Sequence, residues 1–285
     1  MIAQDFEYSA PTKLQDALGL LTNEDTKVLA GGMSLIPLMK LRLATPGKLV
    51  DIGRIKDLNY IREEGKTIRI GATTTHYQVE SSPLIRSSCP LLAETASFIG
   101  DIQVRNMGTI AGSIAHADPA ADYPAALLAL EAKVVLANAK GQRELPIADF
   151  FVETFTTALS PGEIIREVIV PVEEQAVGTS YQKMLQPASG FAIVGVAVRL
   201  RKTGGKIALA RVGVTGLSGK AFRATAVEKA VEGTAGSLSD FQKAAALVAD
   251  GVDANSDLHA SADYRKHLAR IYTQRALSAA FSRTS

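Results

Sequence analysis

The fold is decided by the stretch Lys27-Val28-Leu29-Ala30-Gly31-Gly32-Met33-Ser34-Leu35-Ile36-Pro37. Its apolar start predicts a short β-strand, and the apolar residues that continue to Leu43 predict a helix with Pro37 near its start. The run from Leu49 to Ile52 predicts a second strand. The order of strand, glycine turn, helix and strand indicates a small α/β unit.

The glycine turn in this unit has the composition of an anion site. Two successive glycines allow positive φ, which costs other residues about 1–2 kcal/mol. Such a turn can point consecutive backbone N–H groups at one spot. Ser34 adds a hydroxyl donor, and a helix that opens near Leu35 adds its positive end. A phosphate fits this description, and a plain tight turn is the equal alternative for this loop taken alone.

A second loop, Gly108-Thr109-Ile110-Ala111-Gly112-Ser113, has a similar composition of two glycines and two hydroxyl side chains. Two donor loops suit the two adjacent phosphates of a dinucleotide. Neither loop matches the G-x-G-x-x-G pattern of Rossmann sites, and the chain has no G-x-x-x-x-G-K-[ST] phosphate loop. The residues themselves therefore predict a nucleotide cofactor held in another kind of fold.

The rest of the pattern predicts an α+β architecture in three parts. A capping box of Thr12 and Gln15 predicts the start of the first helix. The stretch 104–122 shows no clear period, and 172–180 has the composition of a linker. Two long strands and three helices are predicted beyond it. We expect an N-terminal α/β subdomain over 1–55, a second α+β subdomain over 56–175, and a C-terminal sheet-plus-helix domain over 176–285.

Composition excludes several classes of function. The chain has one cysteine and four scattered histidines, so we expect no disulfide, iron–sulfur cluster or zinc site within it, and redox chemistry would need an organic cofactor. A net charge of +2 without a dense basic stripe does not indicate nucleic-acid binding. No apolar run approaches the roughly 18 residues of a membrane span. The N-terminus lacks a secretory h-region, which predicts a cytoplasmic protein.

The two loops also resemble the motifs of one family. Residues 30–37 resemble the A-G-G-x-S-L-x-P motif of the FAD-binding medium subunits of carbon monoxide dehydrogenases and related molybdenum hydroxylases. Residues 105–115 resemble that family's R-x-x-G-T-I-G-G-N motif, with Ala111 in place of a glycine and Ser113 in place of an asparagine. The resemblance runs from Phe6 to the C-terminal helix. It implies a vanillyl-alcohol-oxidase-like (PCMH-type) two-part FAD-binding domain plus a C-terminal domain of a small antiparallel sheet and helices.

The resemblance also implies a set of FAD-binding residues and no catalytic or metal-binding residue in this chain. It places Asp122 at the ribityl chain, Lys183 near the flavin, and Ile99 and Ile165 around the adenine. The alternatives are a helix cap for Asp122, an exposed strand lysine for Lys183, and core packing for both isoleucines. Phe191 falls where relatives carry an aromatic residue near the isoalloxazine. The predicted FAD contacts are Ala30, Gly31, Gly32, Met33, Ser34, Leu35, Ile99, Thr109, Ala111, Gly112, Ser113, Asp118, Asp122, Ile165 and Lys183.

The function that the resemblance implies is electron relay. A large molybdenum-cofactor subunit would hydroxylate the substrate, and a small iron–sulfur subunit with [2Fe-2S] clusters would pass the electrons to FAD in this chain and then to an external acceptor. The expected assembly is a dimer of heterotrimers. Two alternatives stay open, namely a stand-alone flavin oxidoreductase of the same fold and a scaffold subunit that has lost its flavin.

Overall fold

The computed structural model describes residues 2–21, 25–174 and 176–284, and within these ranges the chain forms four β-sheets with helices packed around them. The first sheet is parallel, with strand order β1-β3-β2. Its elements are β1 (Glu7–Ser9), α1 (Leu14–Leu20), β2 (Thr26–Leu29), α2 (Leu35–Lys40) and β3 (Lys48–Asp51). The predicted unit of strand, glycine turn, helix and strand is confirmed, although its helix ends at Lys40 rather than at Leu43.

The second sheet is antiparallel, and its central strand is the one that comes last in the sequence. The strand order is β4-β5-β10-β6-β7, so the last strand of this part lies in the middle of the sheet. A two-stranded hairpin, β8 and β9, precedes that strand. The strand bounds are β4 (Ile61–Glu64), β5 (Thr67–Gly71), β6 (Lys133–Asn138), β7 (Gly141–Pro146), β8 (Phe151–Glu153), β9 (Thr156–Thr157) and β10 (Ile164–Pro171).

Six short helices connect β5 to β6 in the described chain, and a seventh follows β7. Their bounds are α3 (His76–Ser81), α4 (Pro83–Ser88), α5 (Pro90–Ser97), α6 (Ile102–Met107), α7 (Ile110–His116), α8 (Tyr123–Ala129) and α9 (Ile147–Phe150). Side-chain caps start several of them, because Thr75, Ser82, Asp101 and Thr109 each accept a backbone N–H three residues on. The stretch 104–122, without a period in the sequence, therefore contains helical turns set by caps rather than by an apolar stripe.

The third part is an antiparallel sheet of β11 (Val177–Leu185), β12 (Ala192–Thr203), β13 (Lys206–Thr215) and β14 (Phe222–Arg223), paired in that order. Gly204 and Gly205 turn the central hairpin with φ of +59° and +77°, as their position in the sequence predicts. Helices α10 (Thr225–Val231), α11 (Leu238–Ala246) and α12 (Ala262–Ser282) follow, and α12 packs on β11 and β12. The predicted order of strands and then helices is confirmed.

Two clusters of buried apolar side chains hold these parts together. One fills the space between the second sheet and helices α3, α4, α5, α7 and α8, and the other lies under the C-terminal sheet. The parts meet closely where α8 crosses β13. A Cβ built on Gly213 would overlap the carbonyl oxygen of Ala125 and lie 2.8 Å from its carbonyl carbon. Only a glycine in β13 allows α8 to approach the C-terminal sheet this closely.

Two predictions about local structure are corrected. The first helix begins at Leu14, with Lys13 at the N-cap and no side-chain cap bond, so the predicted Thr12–Gln15 capping box is wrong. The segment 172–180 is not a linker throughout, since β11 begins at Val177; Gln175 lies outside the described residues. Among the described helices, none combines the length and apolar character needed to cross a membrane.

Candidate functional site

The two glycine loops, far apart in sequence, are in direct contact. A Cβ built on Gly31 would overlap the carbonyl oxygen of Met107, and it would lie 2.7 Å from the Met107 carbonyl carbon and 2.8 Å from the Gly108 Cα. Such distances leave no room for any side chain at position 31. Gly31 is therefore required by close backbone approach, and the first and second loops form one continuous surface.

The first loop presents a row of free donors. Gly32 has φ of +73°, which is the positive φ that glycine was predicted to allow in this turn. Gly31 is not among the glycines with positive φ. From Gly31 to Ser34, no backbone N–H donates to an acceptor within the described residues, whereas the Ile36 N–H bonds the Gly32 carbonyl at 3.0 Å. Ser34 begins α2 without a side-chain cap bond, so its hydroxyl is also available. Free N–H groups beside a helix start suit an anion.

The second loop is the capped start of α7. The Thr109 hydroxyl accepts the Gly112 N–H at 3.1 Å, and the Ile110 N–H donates to the Thr74 carbonyl at 3.0 Å. Ala111 lies in the first turn of α7, is 5 % exposed, and is not among the residues with positive φ. Alanine in place of the family's glycine therefore costs no backbone strain here. Ser113 follows in the same helix and is half-buried.

Asp122 and Lys183 form an ion pair, and both side chains are buried inside the protein. The Lys183 ammonium is 2.9 Å from the Asp122 carboxylate and donates to the Phe98 carbonyl at 2.9 Å. The Tyr181 hydroxyl donates to the same carboxylate at 2.5 Å. Burial raises the pKa of Asp122 to about 6, while the charge of Lys183 and the hydrogen bonds act in the opposite direction. The alternatives weighed for these two residues are both wrong, since Asp122 makes no cap bond and the Lys183 side chain is fully buried.

The remaining residues that were predicted at the FAD site differ in how deeply they are buried. Ile165 is 3 % exposed in the core strand β10, which favours its packing alternative. Ile99 is half-buried at the edge of the same core, and its carbonyl accepts from Arg105 at 3.2 Å. Asp118 is half-buried, and its carboxylate accepts the Ala120 N–H at 2.8 Å. Phe191 is 43 % exposed and follows Gly190, on which a Cβ would lie 3.4 Å from the Gly100 Cα.

Sequence reasoning missed His76, which lies directly beneath the second loop. Its backbone N–H donates to the Gly108 carbonyl at 2.9 Å, and its ring is buried against Tyr123. Burial lowers the pKa of His76 from 6.5 to about 4, and the positive charge of the nearby Arg105 contributes a smaller part of this shift. The available signal was the capping box of Thr75 and Gln78, which fixes a helix start at this histidine.

The arrangement fits a dinucleotide better than a metal ion. The free N–H groups of the first loop adjoin the start of α7, so two phosphates can be bound from neighbouring backbone segments. Exposed apolar side chains lie in or beside the loops, at Met33, Ile36 and Met107, where a planar ring system can pack. Throughout the described ranges, no group of three or more His, Cys, Asp and Glu side chains is placed to hold a metal ion.

Two protein families match the chain in sequence. The FAD binding domain in molybdopterin dehydrogenase matches residues 4–173, and the CO dehydrogenase flavoprotein C-terminal domain matches residues 179–280. The carbon monoxide dehydrogenase medium chain of Hydrogenophaga pseudoflava is 41% identical, over 99% of each chain. The glyceraldehyde dehydrogenase medium chain of Sulfolobus acidocaldarius is 37% identical, over 97% of this chain and 98% of that one.

A solved structure agrees over the whole chain. It is the carbon monoxide dehydrogenase from Hydrogenophaga pseudoflava that lacks the Mo-pyranopterin moiety of the molybdenum cofactor, with 42% sequence identity and a TM-score of 0.98 over 100% of both chains. The predicted α+β architecture, with a two-part FAD-binding domain and a C-terminal domain, is therefore confirmed.

Proposed function

Because the chain belongs to the family of FAD-binding medium subunits of molybdenum hydroxylases, we propose that it relays electrons within such a complex. Its cofactor is FAD, and it is a component of an oxidoreductase. It takes electrons from the [2Fe-2S] clusters of a small partner subunit and passes them to an external acceptor. FAD supplies the link between one-electron and two-electron transfer, since a flavin accepts electrons singly or in pairs.

The observation that carries this proposal is the contact of Gly31 with the Met107–Gly108 peptide. It brings a row of free N–H groups and the start of α7 to one surface. A pyrophosphate needs donors from two sides over a short distance, and this surface supplies them. Backbone donors are also fixed in place, so binding requires little further ordering of the protein.

We assign one phosphate to the first loop and the other to the second. Backbone N–H groups between Gly31 and Ser34, with the Ser34 hydroxyl, serve the first phosphate. The start of α7 serves the second through the hydroxyl groups of Thr109 and Ser113, because the N–H groups of Ile110 and Gly112 are already bonded within the protein. Charge-assisted hydrogen bonds of this kind are shorter and stronger than neutral ones. The predicted contacts assigned here are Ala30, Gly31, Gly32, Met33, Ser34, Leu35, Thr109, Ala111, Gly112 and Ser113.

Two cations hold the segment that carries Ile99. Lys183 bonds the Phe98 carbonyl, and Arg105 bonds the Ile99 and Gly100 carbonyls. We propose that Ile99 packs on the adenine from this fixed position. We propose that Lys183 and its partner Asp122 position this segment from its buried side, and that Asp118 lies at the sugar or ribityl hydroxyls.

The need for partner subunits is inferred from the small number of cysteines in this chain. It has a single cysteine, and Cys89 is fully buried, so clusters that need four thiolates belong on another chain. The relative named for carbon monoxide is 41% identical to this chain, and the relative named for glyceraldehyde is 37% identical, each over nearly its whole length. Similar medium chains therefore carry the names of different substrates. We infer that a large molybdenum-cofactor subunit sets the substrate and that the complex is a cytoplasmic dimer of heterotrimers.

The proposal is tested by flavin content and electron flow. The full chain, purified with its co-expressed partner subunits, is expected to contain one FAD per chain and to be reduced when the substrate of the complex is added. A Gly32→Val variant should lose FAD because its side chain would lie against Ile36 at a positive φ. Such a complex should still oxidise substrate with an artificial acceptor that reacts at the iron–sulfur clusters, but not with the flavin-dependent acceptor.

Gly65→Val is the matched control. Gly65 has φ of +63° at a hairpin turn and has nothing within 4 Å of a Cβ, so the same substitution adds comparable backbone strain away from the loops. It should retain FAD. Normal FAD content in the Gly32→Val complex would contradict the loop assignment, and an unreduced flavin in the wild-type complex would contradict the relay.

A further inference from the structure

Backbone hydrogen bonds join the segment that carries His76 to the second loop. The N–H of His76 donates to the Gly108 carbonyl at 2.9 Å, and the Ile110 N–H donates to the Thr74 carbonyl at 3.0 Å. Between these bonds, Thr75 and Thr109 form an isolated antiparallel bridge. The start of α3 and the start of α7 are therefore joined, and a displacement of one moves the other.

The imidazole of His76 also contacts the loop directly. A Cβ built on Gly108 would lie 2.6 Å from the Nε2 atom of His76 and 2.8 Å from its Cδ2 atom. Gly108 has φ of −61° and ψ of 143°, an extended conformation that alanine adopts without strain. Glycine is therefore needed at position 108 chiefly because the imidazole lies there, and not because of backbone conformation.

Packing alone does not explain why this buried side chain is a histidine. The ring is 4 % exposed, and its Nδ1 atom has no hydrogen-bond partner among the described residues. The ring of Tyr123 lies 5.3 Å from the imidazole between centroids, and its buried hydroxyl also has no hydrogen-bond partner within the described ranges. Unpaired buried polar groups oppose stability, so an apolar side chain would be the better filler. The chain retains the histidine at a cost in stability.

We propose that His76 is a positioning residue of the FAD site, with an imidazole that sets how closely the Gly108–Thr109 turn approaches Gly31. Gly108 lies against the ring on one side, and its Cα is 2.8 Å from a Cβ built on Gly31. The ring thus fixes the spacing of the two loops and the direction in which α7 begins. This inference rests on the proposed assignment of both loops to FAD.

The test is a double-mutant cycle on the full chain, with the FAD dissociation constant measured by flavin fluorescence and the thermal midpoint measured for each variant. Gly108→Ala alone should weaken FAD binding by about tenfold or more, because its methyl group meets the imidazole. His76→Ala alone should weaken binding through a displaced turn. The double variant should bind FAD more tightly than Gly108→Ala, because the new methyl group occupies the space that the ring leaves.

Val79→Ala is the control for a purely structural effect. Val79 is fully buried in the same helix and one turn from His76, and its truncation lowers stability without changing the contact with Gly108. Its FAD dissociation constant should stay within about twofold of wild type. If His76→Ala does not fold, His76→Ser paired with Gly108→Ala replaces it, because serine also removes the Nε2 and Cδ2 atoms that meet the new methyl group.

Additive effects of the two substitutions, or normal FAD binding by Gly108→Ala, would overturn the inference. The loop assignment is checked separately with Gly31→Ala and Gly32→Val. If those variants bind FAD normally, the proposed site itself fails. If they lose FAD while positions 76 and 108 act additively, only the role of His76 fails.

Discussion

Asp122 and Lys183 form a buried ion pair across the boundary between the FAD-binding part and the C-terminal sheet. Asp122 immediately precedes α8, and Lys183 lies in β11, with 2.9 Å between ammonium and carboxylate. Their side chains are 4 % and 0 % exposed. Removal of one partner from such a pair leaves a buried charge without compensation.

Asp122→Ala is therefore expected to destabilise the chain by about 3–5 kcal/mol, measured by chemical denaturation. The control is Lys133→Ala, which removes an ion pair with Glu144 that is about half exposed on both sides. That change should cost less than about 1 kcal/mol. Equal losses for the two variants would show that the buried pair has no special role in joining the two parts.

Stability should depend on pH through His76. Burial lowers its pKa from 6.5 to about 4 in the folded chain, so the unfolded chain binds more protons between these values. The free energy of unfolding therefore falls as the pH falls from about 6.5 towards 4, by up to about 3 kcal/mol from this group. Denaturation of wild type and His76→Asn at pH 7.5 and 4.5 should show a smaller loss for the variant. The same loss in both proteins would contradict the lowered pKa.

Gly31→Ala should abolish or strongly weaken FAD binding, because its methyl group would overlap the Met107 carbonyl and separate the loops. FAD content is read from the flavin absorbance of the purified chain. Gly19→Ala makes the same chemical change within α1, where nothing lies within 4 Å of the new Cβ. It should keep its FAD and be slightly more stable, since alanine favours a helix over glycine by about 1 kcal/mol.

Ser34→Ala tests the hydroxyl of the first loop. Its side chain makes no cap bond in the structure, so its loss should leave the thermal midpoint nearly unchanged. A hydrogen bond to a charged acceptor contributes about 1.5–3 kcal/mol, so the FAD dissociation constant should rise by about 10- to 100-fold. Ser87→Ala, on the exposed surface of α4, should alter neither quantity. An unchanged FAD dissociation constant in Ser34→Ala would remove Ser34 from the phosphate site.

The sequence predicted the elements that have strong local signals. The strand, double glycine and helix around Gly31, and the long hairpin turned at Gly204 and Gly205, follow from apolar runs interrupted by glycine. Helices α6 and α7 were missed because caps at Asp101 and Thr109 set their starts, and neither helix carries a clear apolar stripe. Caps are weak signals in a segment rich in small residues.

The sequence predicted that two loops bind adjacent phosphates of one dinucleotide, and the structure brings these loops together, but the residues that meet were not predictable. Nothing local in the sequence reveals that Gly31 meets Met107, since that contact depends on how the first two sheets pack. Likewise, His76 is recognisable only once the bridge between Thr75 and Thr109 is known. The sequence placed Lys183 near the flavin but did not reveal its ion pair with Asp122. That pair forms only because the C-terminal sheet packs against the FAD-binding part.

The close crossing of α8 over β13 bears on the construction of chimeras. Exchange of residues 176–285 for the same part of a relative would set a foreign β13 against the native α8. The contact at Gly213 and Ala125 leaves no space for a side chain, so the incoming strand must also carry glycine there. A junction placed before Asp122 would transfer α8 and the C-terminal sheet together, and Asp122 and Lys183 would then come from the same protein.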